Sequence, residues 1–362
     1  MDLRLQLRDG GSHDAEYPTL VPLRGKASPM IPTPLYPLRF EPIFTNNLWG
    51  GRRLPGFLRM PAPTDDPIGE AWVLSDVEGH ASRIANGALK GTTLRETLAR
   101  NPERILGSAK LINGRFPLLL KFIDARQELS VQVHPNDEQA ARKQPGSNGK
   151  TEAWVVLDAN PATSRIYSGF RAGITADDFR RALEAKTTPQ TLHSFTPTPG
   201  DCVFLEAGTV HAIGADILLF EVQQTCDITY RLYDWDRVEA KTGLPRQLHV
   251  KEGLEVANFA SGPCPAVSPR VDARDGAKVE QLVDCRYFTL NRWTADTRFT
   301  IGAPGECRIL IVLEADGPSE IEWEEDGDGL AAGDVVLIPA EVGEVSILPA
   351  GRLTLLECRL GS

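Results

Sequence analysis

In the stretch Leu129-Ser-Val-Gln-Val-His-Pro, Gln132 and His134 stand two residues apart on an alternating apolar pattern. A strand repeats its side-chain direction every second residue. Both therefore point to one face, while Val131 and Val133 point to the other, toward a core. Lys150 and Glu152 repeat this spacing in Gly149-Lys-Thr-Glu-Ala-Trp, at the head of the apolar run 153–157. An inward-facing glutamate is costly unless it is paired or bound to a metal. His211 follows a Gly-Thr-Val turn just past another apolar run, 201–205. Gln132, His134, Glu152 and His211 thus make a set of two histidines, one carboxylate and one amide oxygen. Nitrogen and oxygen donors without a thiolate suit Zn²⁺, Fe²⁺ or Mn²⁺, and an open coordination position marks a catalytic rather than a structural site. The competing readings are a buried histidine hydrogen-bonded to Gln132, and a solvated Lys150–Glu152 face at a strand start.

Lys121 interrupts the apolar run 116–123. Lysine is rarely buried unpaired, so this one is expected to reach a pocket or an anion. The segment 221–237 is dense in polar and aromatic groups. It places Asp227, Tyr230, Arg231 and Asp234 at a pocket mouth. The alternative there is a polar loop laced with surface ion pairs, each worth about 0–1 kcal/mol.

These groups have to be held by a scaffold. The chain has 362 residues, enough for about two domains. Short apolar runs punctuated by Gly and Pro dominate, which reads as a β-sandwich or barrel. Helices are expected after the Thr175-Ala-Asp-Asp cap, over 136–143, over 250–258 and over 93–99. Gly200-Asp-Cys-Val-Phe-Leu-Glu-Ala recurs as Gly333-Asp-Val-Val-Leu-Ile-Pro-Ala, and only the first copy runs on into a histidine. Residues 270–360 contain no histidine at all. The expected organisation is an N-terminal extension over 1–35, partly disordered, a catalytic β domain with helical insertions over 36–265, and a second, metal-free β domain over 266–362.

Lys and Arg number 39 against 49 Asp and Glu, a net charge of −10. That argues against nucleic acid and against polybasic membrane attachment, while a local basic pocket for one small anion stays open. No run approaches the ~18 apolar residues of a membrane span, and the N-terminus shows no signal-peptide apolar region. Six scattered cysteines without a CxxC pair point to reduced, mostly buried thiols and a cytoplasmic protein. A small molecule is the expected partner.

The motifs Phe116-Pro-Leu-Leu-Leu-Lys-Phe-Ile, Leu129-Ser-Val-Gln-Val-His-Pro, Lys150-Thr-Glu-Ala-Trp, Ala207-Gly-Thr-Val-His-Ala-Ile and Gln223-Gln-Thr-Cys-Asp-Ile-Thr-Tyr-Arg-Leu-Tyr-Asp-Trp resemble the type I mannose-6-phosphate isomerases, in their shorter bacterial form. Trp49-Gly-Gly-Arg and Gly69-Glu-Ala-Trp fit the same family, so the resemblance covers residues 36–260. It implies a mainly β fold of two cupin-like jelly-roll β-barrels with a few helices. It also implies a single zinc ion and the interconversion of D-mannose 6-phosphate and D-fructose 6-phosphate. Carried over by motif, Gln132, His134, Glu152 and His211 correspond to zinc ligands and Arg231 to an active-site arginine. Lys121 and Lys150 correspond to pocket lysines. Two departures stand out: Glu206-Ala-Gly replaces the usual Pro-Ala-Gly before His211, and residues 1–35 have no counterpart.

Aldose–ketose isomerisation moves a proton between C1 and C2 through an enediol, so negative charge develops on a sugar oxygen. Arg231 and Lys150 are the candidates to meet that charge. Lys121, Ser130 and Asp227 are the candidates to bind substrate, the first two at its phosphate. A cupin dioxygenase with Fe²⁺ on the same ligands, and a sugar-binding cupin without catalysis, are the competing functions.

Overall fold

The computed structural model describes residues 34–238 and 243–361. Most of the expected N-terminal extension, residues 1–33, lies outside the described residues. Antiparallel strands dominate and assemble into four main sheets. A six-stranded sheet contains Ile43–Gly51, Ile68–Leu74, Leu118–Ala125, Glu152–Ala159, Cys202–Leu205 and Ile217–Gln224. A five-stranded sheet contains Val131–Val133, Ile166–Phe170, Leu192–Phe195, His211–Ile213 and Tyr230–Tyr233. The C-terminal residues build a seven-stranded and a four-stranded sheet, joined by Leu38–Arg39, which pairs with Val335–Ile338.

The buried clusters show how the sheets stack. Ile123, Val156 and Leu219 of the six-stranded sheet meet Ile166 and Ile213 of the five-stranded one. The other face of the six-stranded sheet, with Leu120, Phe122, Phe220 and Val222, packs on Leu290, Ile309, Ile311 and Leu356 of the seven-stranded sheet. That sheet's far face, with Trp293, Leu310 and Leu355, packs on Ile321, Val345 and Ile347. Each expected barrel is therefore a pair of facing sheets, two sandwiches back to back. Helices Ala176–Glu184 and Val250–Val256 cover the outer face of the five-stranded sheet through Phe179 and Val256.

The expected helix starts are present. Thr93, Asn136 and Thr175 each close a capping box, heading Leu94–Arg100, Asp137–Lys143 and Ala176–Glu184. Two further short helices, Arg53–Phe57 and Pro102–Leu106, were not signalled by the sequence pattern.

The strand Ile217–Gln224 is buried on both sides, which explains its near-continuous apolar run. Its alternation is still visible. Leu218, Phe220 and Val222 face the seven-stranded sheet, and Ile217 and Leu219 face the five-stranded one. Glu221 and Gln223 share the second face, so this strand delivers two polar side chains into the first sandwich.

The internal repeat is real at the level of hydrogen bonds. Gly200 and Gly333 both hold positive φ, +92° and +88°, where a side chain is disfavoured. Gly200 donates to the carbonyl of Val156, and Gly333 to that of Val312. Asp201 and Asp334 each cap their own turn, accepting from the backbone N–H of Thr198 and Ala331. All six cysteines are free. Among the described residues no helix is long and apolar enough to cross a membrane.

Candidate active site

The five-stranded sheet supplies one wall of the site. Its register sets Arg231 beside Gln132 and Gln132 beside His211, so the three share one face. His134 follows at the end of the same strand as Gln132. The six-stranded sheet supplies the opposite wall. There Glu152 lies beside Gln223, and Trp154, Glu221, Lys121 and Trp72 fill neighbouring positions of the next row.

His134, Glu152 and His211 are all buried, and one donor atom from each lies within 4.8 Å of the others. His134 Nδ1 is 2.9 Å from the carbonyl oxygen of Ile228, and His211 Nδ1 is 2.9 Å from that of Thr209. A ring nitrogen against a carbonyl must donate, so each Nδ1 carries the proton and each Nε2 presents a lone pair. Those Nε2 atoms sit 3.7 Å and 3.2 Å from the Glu152 carboxylate. Both carboxylate oxygens of Glu152 are buried, and Lys150 is the one donor beside them among the described residues. Lys150 Nζ stands 2.9 Å from one of them and 3.1 Å from His134 Nε2. A buried carboxylate with unfilled acceptors, facing two imidazole lone pairs, is a donor set that fits a divalent cation. The Gln132 amide nitrogen lies 3.3 Å from His211 Nε2, so the glutamine–histidine contact forms with His211 rather than with His134.

Burial pushes His134 well below the ordinary imidazole range and brings His211 down to about 4, so both are neutral ligands near pH 7. Burial and the neighbouring Glu221 charge raise Glu152 to about 7 against the pull of Lys150. Glu221 goes the other way. Burial opposes its ionisation, but Lys121 and Lys150 outweigh it and bring the carboxyl down to about 2.

Lys121 is buried, as its sequence position requires, and the anion it needs comes from the chain itself. Its Nζ lies 3.1 Å from Glu221 and 3.5 Å from Glu70, and 5.4 Å from the Trp72 ring centre. These carboxylates overcome the burial penalty and raise its pKa. The premise that an external phosphate must neutralise this lysine is thereby removed. Ser130 is buried, and Asp227 is exposed in the loop after Ile217–Gln224. Neither makes a hydrogen bond or ion pair to the cluster among the described residues. The Arg231 guanidinium donates to the carbonyl of Gln247 at 2.9 Å, while Asp234 is held by Arg237 and Arg246.

Glu221, Gln223 and Glu70 were not singled out from the sequence. The signal was available for Glu221, a charge inside the apolar run 217–222, and it is the signal that selected Lys121. Trp154 Nε1 donates to Glu221 at 2.9 Å. Trp154→Phe keeps the ring and removes that donor. The variant should lose about 1–3 kcal/mol of stability, since a buried charged acceptor is left short of a partner. Urea denaturation measures this, and an unchanged midpoint would show that the lysines alone satisfy Glu221.

Residues 38–160 match the family model for the catalytic domain of type I phosphomannose isomerase. The chain is 35% identical over 312 residues to the mannose-6-phosphate isomerase ManA of Bacillus subtilis, covering 86% of this chain and 95% of that one. It is 32% identical over 305 residues to the mannose-6-phosphate isomerase of Streptococcus mutans, covering 83% and 92%. The crystal structure of the Bacillus subtilis mannose 6-phosphate isomerase superposes with a TM-score of 0.80 at 28% identity, covering 89% of this chain and 99% of that one.

Proposed function

Because the chain belongs to the type I phosphomannose isomerase family, we propose that it interconverts D-mannose 6-phosphate and D-fructose 6-phosphate as a zinc-dependent aldose–ketose isomerase. The fold is mainly β and cupin-like, as in that family. The observation that carries the reading is the buried convergence of His134 Nε2, His211 Nε2 and the Glu152 carboxylate, with Lys150 beside it.

In this reading His134, Glu152 and His211 hold zinc, and Gln132 offers a fourth donor through its amide oxygen. A zinc ion held there supplies Lewis acidity toward a sugar carbonyl. Arg231 and Lys150 stand on either wall to meet the negative charge that develops as the carbonyl shifts to an enediol. Lys121 acts through Glu221, fixing that carboxylate beside the cluster, and is a positioning residue. Ser130 lies on the strand face of Gln132 and His134 and contacts substrate there, with Asp227 at the rim. Residues 36–265 carry catalysis, and residues 266–362, lacking histidine in 270–360, carry no zinc. The six free thiols fit a reducing cytoplasm.

Elemental analysis with a coupled assay on mannose 6-phosphate tests this directly. About one zinc per chain is expected, with activity lost to a chelator and restored by zinc. Strong preference for mannose 6-phosphate over free mannose is expected as well. A fully zinc-loaded protein that does not turn over mannose 6-phosphate would refute the reading.

A pH experiment probes the ligand set separately. With Glu152 raised to about 7, the metal-free site keeps a proton on that carboxyl at pH 6. The ligand must be ionised to bind metal. Zinc binding should therefore release about one proton from the site at pH 6, about half as much at pH 7 and little above pH 8. Titration calorimetry in two buffers of different ionisation enthalpy reads this number. Equal proton release at pH 6 and pH 9 would show that burial does not hold the proton on Glu152.

A further inference from the structure

The two sandwiches share strand order as well as the Gly-Asp turn, and this allows positions to be matched through register. In the first, the strand after the turn sets Leu205 against Glu152, and Glu152 against Gln223. In the second, Ile338 lies against Arg308, and Arg308 against Arg359. Glu221 neighbours Lys121, and its counterpart Glu357 neighbours Asn291. The second sandwich thus keeps a polar interior where the first has its candidate active site. Where the first has the metal-binding carboxylate Glu152, the second has Arg308.

We propose that the second sandwich binds a phosphoryl oxyanion, free or carried on a small ester, in the cavity beside Arg359. The cavity measures about 120 Å³ and is lined by Arg270, Arg274, Gln281, Asn291 and Arg359, together with one carboxylate, Asp272. Two facts call for an anion there. Arg308 and Arg359 are directly opposed across strands, a like-charge pairing that is unfavourable unless each finds a counter-charge. Arg308 finds Glu357 and Glu306. Arg359 finds none among the described residues, and its Nε is buried without an acceptor. Arg308, with 8% of its side chain exposed, likewise keeps a buried Nε without an acceptor.

Arg270 stands on the edge strand in register with Gln281, which in turn pairs with Asn291. It too has no carboxylate within ion-pairing distance among the described residues. Asp272 turns its carboxylate to the backbone N–H of Ala273 and to Arg274. One guanidinium without a counter-charge, Arg359, and two that share the single Asp272 carboxylate surround one small cavity, an excess of positive charge in a chain whose net charge is −10. Guanidinium matches oxyanions through paired N–H donors. Donors arriving from separate strands suit a tetrahedral oxyanion better than a planar carboxylate, because its oxygens point in several directions. The inference does not depend on the isomerase reading.

The test is thermal melting of the intact protein against inorganic phosphate at constant ionic strength, for wild type, Arg359→Gln and Arg270→Ala. Phosphate should raise the wild-type melting temperature. The concentration needed should rise about tenfold or more in Arg359→Gln. Competitive inhibition of sugar-phosphate turnover by phosphate, which reports the first sandwich, should be unchanged. Arg270→Ala lies on an exposed strand and keeps the test available if Arg359→Gln fails to fold. Titrating glycerol phosphate in parallel shows which source of the group binds more tightly. Equal stabilisation of wild type and the folded variants, or none of wild type, would overturn the proposal.

Discussion

His134→Ala should lose bound metal and isomerase activity together. The imidazole is held from behind by the Ile228 carbonyl, and its Nε2 faces the Glu152 carboxylate. Removing a group that merely orients a metal ligand costs about 10–100-fold in metal affinity or activity. Removing the ligand itself should cost at least that. His211 and Glu152 remain, so excess metal should restore part of the occupancy and less of the activity. Burial matters here too. His134 is 1% exposed, so truncation opens a cavity beside Glu152 and Lys150 that water can enter. Metal content and steady-state turnover, measured on the same preparation, decide the matter. Normal metal content in His134→Ala would remove this histidine from the ligand set. Normal activity without metal would remove the metal from the reaction.

The parts of the site that were legible in the sequence are those fixed by local geometry. Period two alone puts Gln132 and His134 on one face, and Lys150 and Glu152 on another. The Gly-Asp turn was legible because positive φ at Gly200 and Gly333 is a property of one residue and its immediate neighbours. What was not legible depends on pairing between distant strands. Lys121 could be recognised as needing an anion, but only the register of three strands shows that Glu221 and Glu70 provide it. The same holds for Leu38–Arg39. Its position in sequence assigns it to the first domain, yet it completes the edge of the C-terminal sheet. An uncovered edge strand is a liability in any sheet, and which segment covers it is a tertiary decision. Likewise, the choice between closed barrel and facing sheets is not written in strand periodicity. Both arrangements bury one side of each strand and ask for the same alternation.

Arg231→Ala should leave metal content near normal and lower kcat by about 10²–10³, the cost of losing one preorganised donor to a developing oxyanion. A guanidinium stays protonated and offers no lone pair, so it cannot be a metal ligand. Its backbone is fixed on both sides. The Arg231 N–H points to His249 Nδ1 at 3.2 Å, and the Arg231 carbonyl accepts from the His249 N–H at 2.7 Å. The strand register then places the side chain beside Gln132, one position from His211. The alternative was that Arg231 serves a surface ion pair with Asp227 or Asp234. The Asp234 carboxylate is already held by Arg237 and Arg246, which bring its pKa down despite partial burial. A second structural role remains on view, the bond from the guanidinium to the Gln247 carbonyl. If Arg231 only anchors that loop, the variant should lose about 0.5–1.5 kcal/mol of stability, with kcat close to wild type. If it meets charge that exists only in the transition state, kcat falls while KM changes little. Steady-state kinetics and denaturation on this one variant separate the two roles. Wild-type kcat at normal metal occupancy would take Arg231 out of the chemistry.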